Sequence, residues 1–182
     1  RYRRLPEARR AAAAAGFQGA LFPWQSASNG EEETQTWHLN PRSGRWLPDA
    51  SHLQRHVNVA VAYNAWQYYD ATHNQEFLSY YGAELLFEIA RFWASAATPA
   101  ADGRYDIVGV MGPDEYHEAY PGADRPGLRN NAYTNVMASW VLSTALEACD
   151  ILTDHRRREV HEKLGIDDRE LESWDAVSCR LR

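Results

Sequence analysis

The sequence is short of several things, and each shortage excludes something. Its two cysteines, Cys149 and Cys179, lie far apart without CxxC spacing, which argues against a disulfide framework or a zinc pair and fits free thiols in a reducing cytoplasm. Long apolar runs are missing: Ala11 to Phe17 and Val57 to Tyr63 fall well short of the roughly 18 residues that a membrane span needs. A basic surplus is missing too. Nineteen basic against 25 acidic side chains leave a net charge of -6, the wrong sign for a domain that grips nucleic-acid phosphates. Among the basic residues Lys163 is the single lysine, a skew with no bearing on mechanism. No initiator methionine precedes Arg1, and Arg1 to Pro6 lead into Ala-rich helix former rather than a signal segment. The chain reads as one entered partway, so its length is expected to be that of a piece.

What is present suffices for a packed core. Of the 182 residues 45% are hydrophobic, with 7 Trp, 10 Tyr and 5 Phe, and this richness with modest net charge excludes disorder. Leu5 to Ala15 is Ala-, Arg- and Glu-rich, with Pro6 suited to a first turn and Gly16 to a stop, so a short helix is predicted. From Phe17 to Pro48 glycines and prolines punctuate polar residues without a sustained period, which predicts a long loop; such loops in compact domains are usually functional. Ser51 to Thr72 places apolar residues at the three- and four-residue spacing of a helix, with Asp49 or Ser51 as a cap. Gln75 to Ser95 repeats the pattern after the short link Thr72-His73-Asn74, which favours an antiparallel pair. Arg104 to Met111, with β-branched Ile107, Val108 and Val110, is predicted extended. Asn131 to Ile151 is again helical, and His155 to Leu164 and Asp167 to Leu181 are charged amphipathic helices split by Gly165. Long helices joined by functional loops predict an all-α catalytic architecture.

Three clusters could carry chemistry. Gly112-Pro113-Asp114-Glu115-Tyr116-His117-Glu118 gathers carboxylates and an imidazole between an apolar segment and a polar linker. By residue type it could supply a general acid, whose pKa a neighbouring aromatic such as Tyr116 would raise by desolvation; it could equally be a metal site or a solvated turn. Asp114, His117 and Glu118 match no strong metal-ligand spacing. Phe22-Pro23-Trp24-Gln25-Ser26, followed by Glu31 to Gln35 and Trp37 to Pro41, sets flat indoles beside amides and carboxylates. That mixture suits a sugar, with its apolar C–H faces and hydroxyl rim, and it would also anchor a loop to a core. Asn130-Asn131-Ala132-Tyr133-Thr134-Asn135 puts amides at a helix start, where capping explains one asparagine but hardly the group.

Taken in order, these segments resemble glycoside hydrolase family 65, the family of inverting phosphorylases for trehalose, maltose, kojibiose and nigerose and of acid trehalases. The resemblance runs from Tyr2-Arg3-Arg4-Leu5-Pro6 through Phe22-Pro23-Trp24, Gln54-Arg55-His56-Val57-Asn58 and Glu88-Ile89-Ala90-Arg91-Phe92-Trp93. It continues in Gly112-Pro113-Asp114-Glu115-Tyr116-His117 and Asn131-Ala132-Tyr133-Thr134-Asn135, covering about four fifths of the chain. It implies an incomplete (α/α)6 barrel, about half of the helices of the toroid, as a partial catalytic domain spanning residues 1–182. An upstream β-sandwich and downstream phosphate-binding loops are expected outside it. It further implies Glu115 as general acid, with Trp24, Gln25, Glu32, His56, Asp114 and Asn131 as sugar-site candidates, no metal and no cofactor.

The implied reaction is inverting phosphorolysis of an α-glucosidic disaccharide to β-glucose 1-phosphate and glucose, with inorganic phosphate as co-substrate. Inverting hydrolysis of the same bond and a non-catalytic helical fragment are the alternatives. Many members carry Glu where Gln25 stands, and the maltose phosphorylases have a different loop there, so the resemblance leans to the trehalose or kojibiose side. The implied partners are disaccharide, phosphate and, because a half-barrel exposes apolar surface, further copies of the chain; neither nucleic acid nor membrane is expected. These 182 residues alone are expected to show no turnover, and measurable phosphorolysis by the isolated chain would contradict that.

Overall fold

A computed structural model describes residues 1–114 and 116–182. A single 3-10 turn, Tyr2–Arg4, opens into helix α1, Leu5–Ala14, with Pro6 in its first turn. Leu5, Ala8 and Ala12 recur at helical spacing and are buried, so the small alanine face lets α1 lie close to its neighbours. The chain leaves through Gly16 at φ +82°.

The long loop is not wholly irregular. Strands β1, Trp37–Asn40, and β2, Arg45–Pro48, pair antiparallel with Trp37 opposite Pro48 and Leu39 opposite Trp46. The Asn40 carboxamide oxygen accepts from the Arg42 and Ser43 N–H groups, and Gly44 adopts φ +65° to close the turn. Each strand has four residues, too few for alternation to register as a period.

Helix α2, Val57–Thr72, begins later than Ser51, because Ser51–Leu53 form a separate 3-10 turn. Asp49 does bind there, its carboxylate accepting from the Ser51 N–H at 2.8 Å. After His73, at φ 49°, the side chain of Asn74 caps the single turn α3, Gln75–Phe77. That turn runs through a π-helical turn, Leu78–Gly82, into α4, Ala83–Ala96. Three short strands follow, β3 at Ala97–Pro99, β4 at Tyr105–Val110 and β5 at Leu128–Arg129, antiparallel in the order β3-β4-β5. Helices α5, Ala132–Ile151, α6, Asp154–Leu164, and α7, Asp168–Arg180, complete the chain. Asn131, Thr153 and Asp167 cap these three helices through their side chains. The all-α expectation is therefore corrected: the fold is mainly helical, but it carries two small sheets. The predicted extended segment at Arg104 to Met111 becomes the middle strand of one of them.

Helix α4 is the centre. It packs against α2, α5 and α7, and ten of its residues are buried, including Phe87, Phe92 and Trp93. Phe87 meets Trp174 of α7 at 5.9 Å between ring centroids. Two of the buried residues are acids, Glu84 and Glu88, 6% and 2% exposed. Glu84 accepts from Tyr2 at 2.6 Å, Lys163 at 2.7 Å and Arg9 at 3.1 Å. Glu88 pairs with Arg9 at 3.1 Å and with Arg91 at 3.2 Å, and Arg91 forks onto Glu170 of α7 at 2.6 and 2.8 Å. Burial pushes the Glu84 carboxyl up, but the hydrogen bonds from Lys163, Tyr2 and Arg9 outweigh it and hold the group below its ordinary range. Arg91 and Glu88 are largely buried on both sides, and removing one partner of such a pair costs about 3–5 kcal/mol.

A second ionic knot fixes β4. Asp106, 5% exposed, accepts from Asn130 at 2.6 Å and Arg182 at 2.9 Å and pairs with Arg129. The hydrogen bond from Asn130 outweighs burial and, with Arg129 and Arg182, draws the Asp106 carboxyl down to about 2. Its folded value lies below the unfolded one near 4, so this stabilisation is complete above about pH 4 and is lost as pH falls toward about 2. Asp106→Asn is therefore expected to melt below the wild type at neutral pH, with the gap closing over that acid window in thermal melts. A gap that stays constant down to the acid limit would contradict the assignment.

Candidate active site

The site is assembled from segments that the core holds at both ends. Gly19 adopts φ +71°, and a Cβ there would stand 2.2 Å from the Glu88 carbonyl oxygen, so only glycine lets this strand lie directly on α4. Ala20 N–H donates to that same carbonyl at 2.9 Å. Asn58, fully buried near the start of α2, then clamps the next turn of chain: its oxygen accepts from Phe22 N–H at 2.7 Å and its amide donates to Ala20 O at 2.8 Å. With Phe22 locked in the core and Pro23 buried after it, Trp24 is carried to the surface, where it is 37% exposed.

Glu32 holds the far side of this loop. Its carboxylate accepts from the N–H groups of Trp24, Gln25 and Thr34 at 3.2–3.3 Å, and from the Thr34 hydroxyl. A carboxylate engaged by three backbone donors is a loop support. Gln25 is exposed, and its N–H is shared between Glu32 and Thr34.

The second wall is the loop that leaves β4. Met111 N–H donates to Leu53 O at 2.9 Å, Gly112 N–H to His117 O at 2.8 Å, and Gly127 N–H to Glu118 O at 2.6 Å, so the loop is fastened at its root, neck and exit. A Cβ on Gly112 would meet His117 Nδ1 at 2.2 Å and Asn131 Nδ2 at 3.1 Å; glycine here admits both side chains. Glu115, the expected general acid, lies outside the described residues. Tyr116 stands 86% exposed, so its ring provides no apolar cover.

Between these walls lies a cleft of about 490 Å³, lined among others by Trp24, His38, Asp49, Gln54, Asp114 and Tyr116. The structure thus brings Trp24 and Asp114 to one cleft. Asn131 stands at the loop's neck, its oxygen capping α5 through Thr134 N–H at 3.0 Å and its amide beside Gly112. Glu32 lies behind the Trp24 backbone and lines a different hollow. His56 sits at the junction, edge-on to Trp24 at 5.5 Å and to Tyr133 at 5.8 Å. The neighbouring asparagines have their own work: Asn130 accepts from Ile107 N–H and donates to Asp106, and Asn135 donates to Arg182 O at 2.7 Å.

Sequence reasoning missed the pair of His38 Nδ1 and Asp49, 3.4 Å apart. The strand pairing that would have revealed it was not recognised. Burial pushes the Asp49 carboxyl up, but bonds from Ser51 and Gln35 and the nearby His38 bring it below its ordinary range. Tyr133 was quoted only as part of a motif. Among the described residues no three His, Cys, Asp or Glu side chains converge as a metal site would require, and no helix is long and apolar enough to cross a membrane.

The glycosyl hydrolase family 65 central catalytic domain matches residues 1–181. The chain belongs to family 65. It is 57% identical over its whole length to an uncharacterized glycosyl hydrolase of Mycobacterium tuberculosis, covering 14% of that protein. It is 47% identical over 147 residues, 81% of the chain, to the trehalose 6-phosphate phosphorylase of Lactococcus lactis, covering 19% of it. It is 37% identical over its full length to the kojibiose phosphorylase of Thermoanaerobacter brockii, covering 23% of it. A solved structure assigned provisionally as a kojibiose phosphorylase from the human microbiome superposes on the whole chain with a TM-score of 0.79 at 26% identity, and the chain covers 24% of it. The family 65 chain thus spans less than a quarter of the length of these relatives.

Within this family 65 site, burial pushes the His56 imidazole below its ordinary value, and the Met111 backbone offsets only part of that. His56 is therefore expected to take its proton at a lower pH than an exposed imidazole. An NMR titration of the ring protons checks this, and a midpoint at or above that of an exposed histidine would contradict it.

Proposed function

We propose that this family 65 chain contributes the proton-donating half of an inverting phosphorolysis of an α-glucosidic disaccharide, yielding β-glucose 1-phosphate and glucose. The observation that carries the reading is the cleft that joins the Trp24 loop to the Gly112–His117 loop, the segment containing Glu115. The names of the trehalose 6-phosphate and kojibiose phosphorylases among its relatives support phosphorolysis. The higher identity to the former, 47% against 37%, favours a trehalose-like glucoside.

In this reading the Glu115 carboxylic acid gives its proton to the glycosidic oxygen as the bond to the anomeric carbon breaks. A phosphate oxygen attacks that carbon from the opposite face, so the configuration inverts and no second carboxylate is needed to activate a nucleophile. Trp24 offers its indole to the C–H face of the sugar, and Gln25, Asp114 and Asn131 offer hydrogen bonds to its rim. Glu32 supports the platform from behind. The helices are read as part of an (α/α)6 barrel, and homo-oligomerisation is part of the proposal.

Hydrolysis is the second reading, favoured by the glycosyl hydrolase name of the 57% identical relative. Assays of the intact enzyme that carries this domain, on trehalose, trehalose 6-phosphate and kojibiose with and without phosphate, separate the two. Phosphate-dependent release of β-glucose 1-phosphate is expected, and phosphate-independent release of glucose alone would favour hydrolysis. Glu115→Gln is expected to lower turnover by about 10²- to 10⁴-fold; unchanged turnover of every α-glucoside would sink the assignment.

A further inference from the structure

His56 stands where three parts of the site meet. It is the residue before α2, and its ring contacts Trp24 of the platform loop and Tyr133 of the first turn of α5, both edge-to-face. The backbone of Met111 lies beside the same ring, and Met111 is the root of the Gly112–His117 loop. The Nδ1 atom is buried without a hydrogen-bond partner among the described residues. The segment that leads into α2 therefore serves two walls: Leu53 O receives the Met111 N–H, and the His56 ring fills the space between Met111, Trp24 and Tyr133. Edge-to-face contacts of this kind are directional and favour one indole orientation.

We propose that His56 is a positioning residue: it acts through Trp24 and Met111 to hold the sugar platform and the Glu115-bearing loop in one fixed relation, with Tyr133 as its backstop. This rests on the reading of Glu115 as general acid. A platform and an acid set by different segments must agree in position, because a displacement of about 1 Å can cost on the order of 10²-fold in rate. His56 is the side chain in contact with both segments. Its flat shape carries this role; proton transfer to substrate does not.

The test compares two donors in the intact enzyme that carries this domain. A disaccharide needs its leaving oxygen protonated, whereas α-glucosyl fluoride releases fluoride without that proton. His56→Ala is expected to lower kcat on the disaccharide by roughly 10- to 100-fold and on the fluoride by less than about threefold. His56→Phe, which keeps a flat ring between Trp24 and Tyr133, is expected to restore most of the disaccharide rate. If His56→Ala does not fold, His56→Leu, which fills the space without a flat ring, replaces it. Equal losses on both donors, or no loss on either, overturn the proposal, as does a His56→Phe rate no better than that of His56→Ala. A wild-type chain that turns over the fluoride but no disaccharide overturns instead the reading of Glu115, and the two failures are thereby distinguished.

Discussion

The buried carboxylates of α4 are the constraint on which the other elements depend. A helix enclosed on nearly all sides cannot leave Glu84 and Glu88 without partners, because an unpaired charge in that setting would cost several kcal/mol. Each partner arrives from a different place: Arg9 from α1, Tyr2 from the opening turn, Lys163 from α6, and Arg91 from α4 itself, which reaches on to Glu170 of α7. Satisfying two acids thus fixes the docking of three helices. The apolar contacts around them, such as Phe87 on Trp174, supply the larger share of burial but are less selective about direction.

The same helix also reaches the functional end of the molecule. Its Glu88 carbonyl receives the Ala20 N–H, and the bare Cα of Gly19 lies against its backbone. From that contact the Asn58 clamp and the Glu32 support deliver Trp24 to the cleft. The opposite wall is fixed through Asp106, whose bond from Asn130 joins β4 to the start of α5 immediately before Asn131. The cleft is therefore bordered by loops whose roots are buried and hydrogen-bonded, an arrangement that gives a positioned site on connecting segments.

Much of this was legible beforehand. The helices announced themselves because apolar side chains three and four apart must share a face, and the extended segment before Gly112 did so through its β-branched residues. The hairpin at Trp37 to Pro48 did not, since its strands are short and their pairing is a relation between residues five to eleven positions apart. The asparagine group looked functional as a block and divides in the structure: Asn131 stands beside Gly112 at the neck of the loop, while Asn130 and Asn135 tie β4 and Arg182 together. Glu32, chosen for its chemistry, spends its carboxylate on backbone donors.

The sequence by itself determined the family, the helical periodicity and the loops that carry chemistry, because these depend on residue type and near neighbours. Tertiary structure alone decided which carboxylates are supports, that His38 meets Asp49, and that His56 lies between Trp24 and Tyr133. The histidine contacts join residues 11 to 77 positions apart, a distance that only tertiary packing closes. With both cysteines free, buried hydrogen bonds and ion pairs fix the loops.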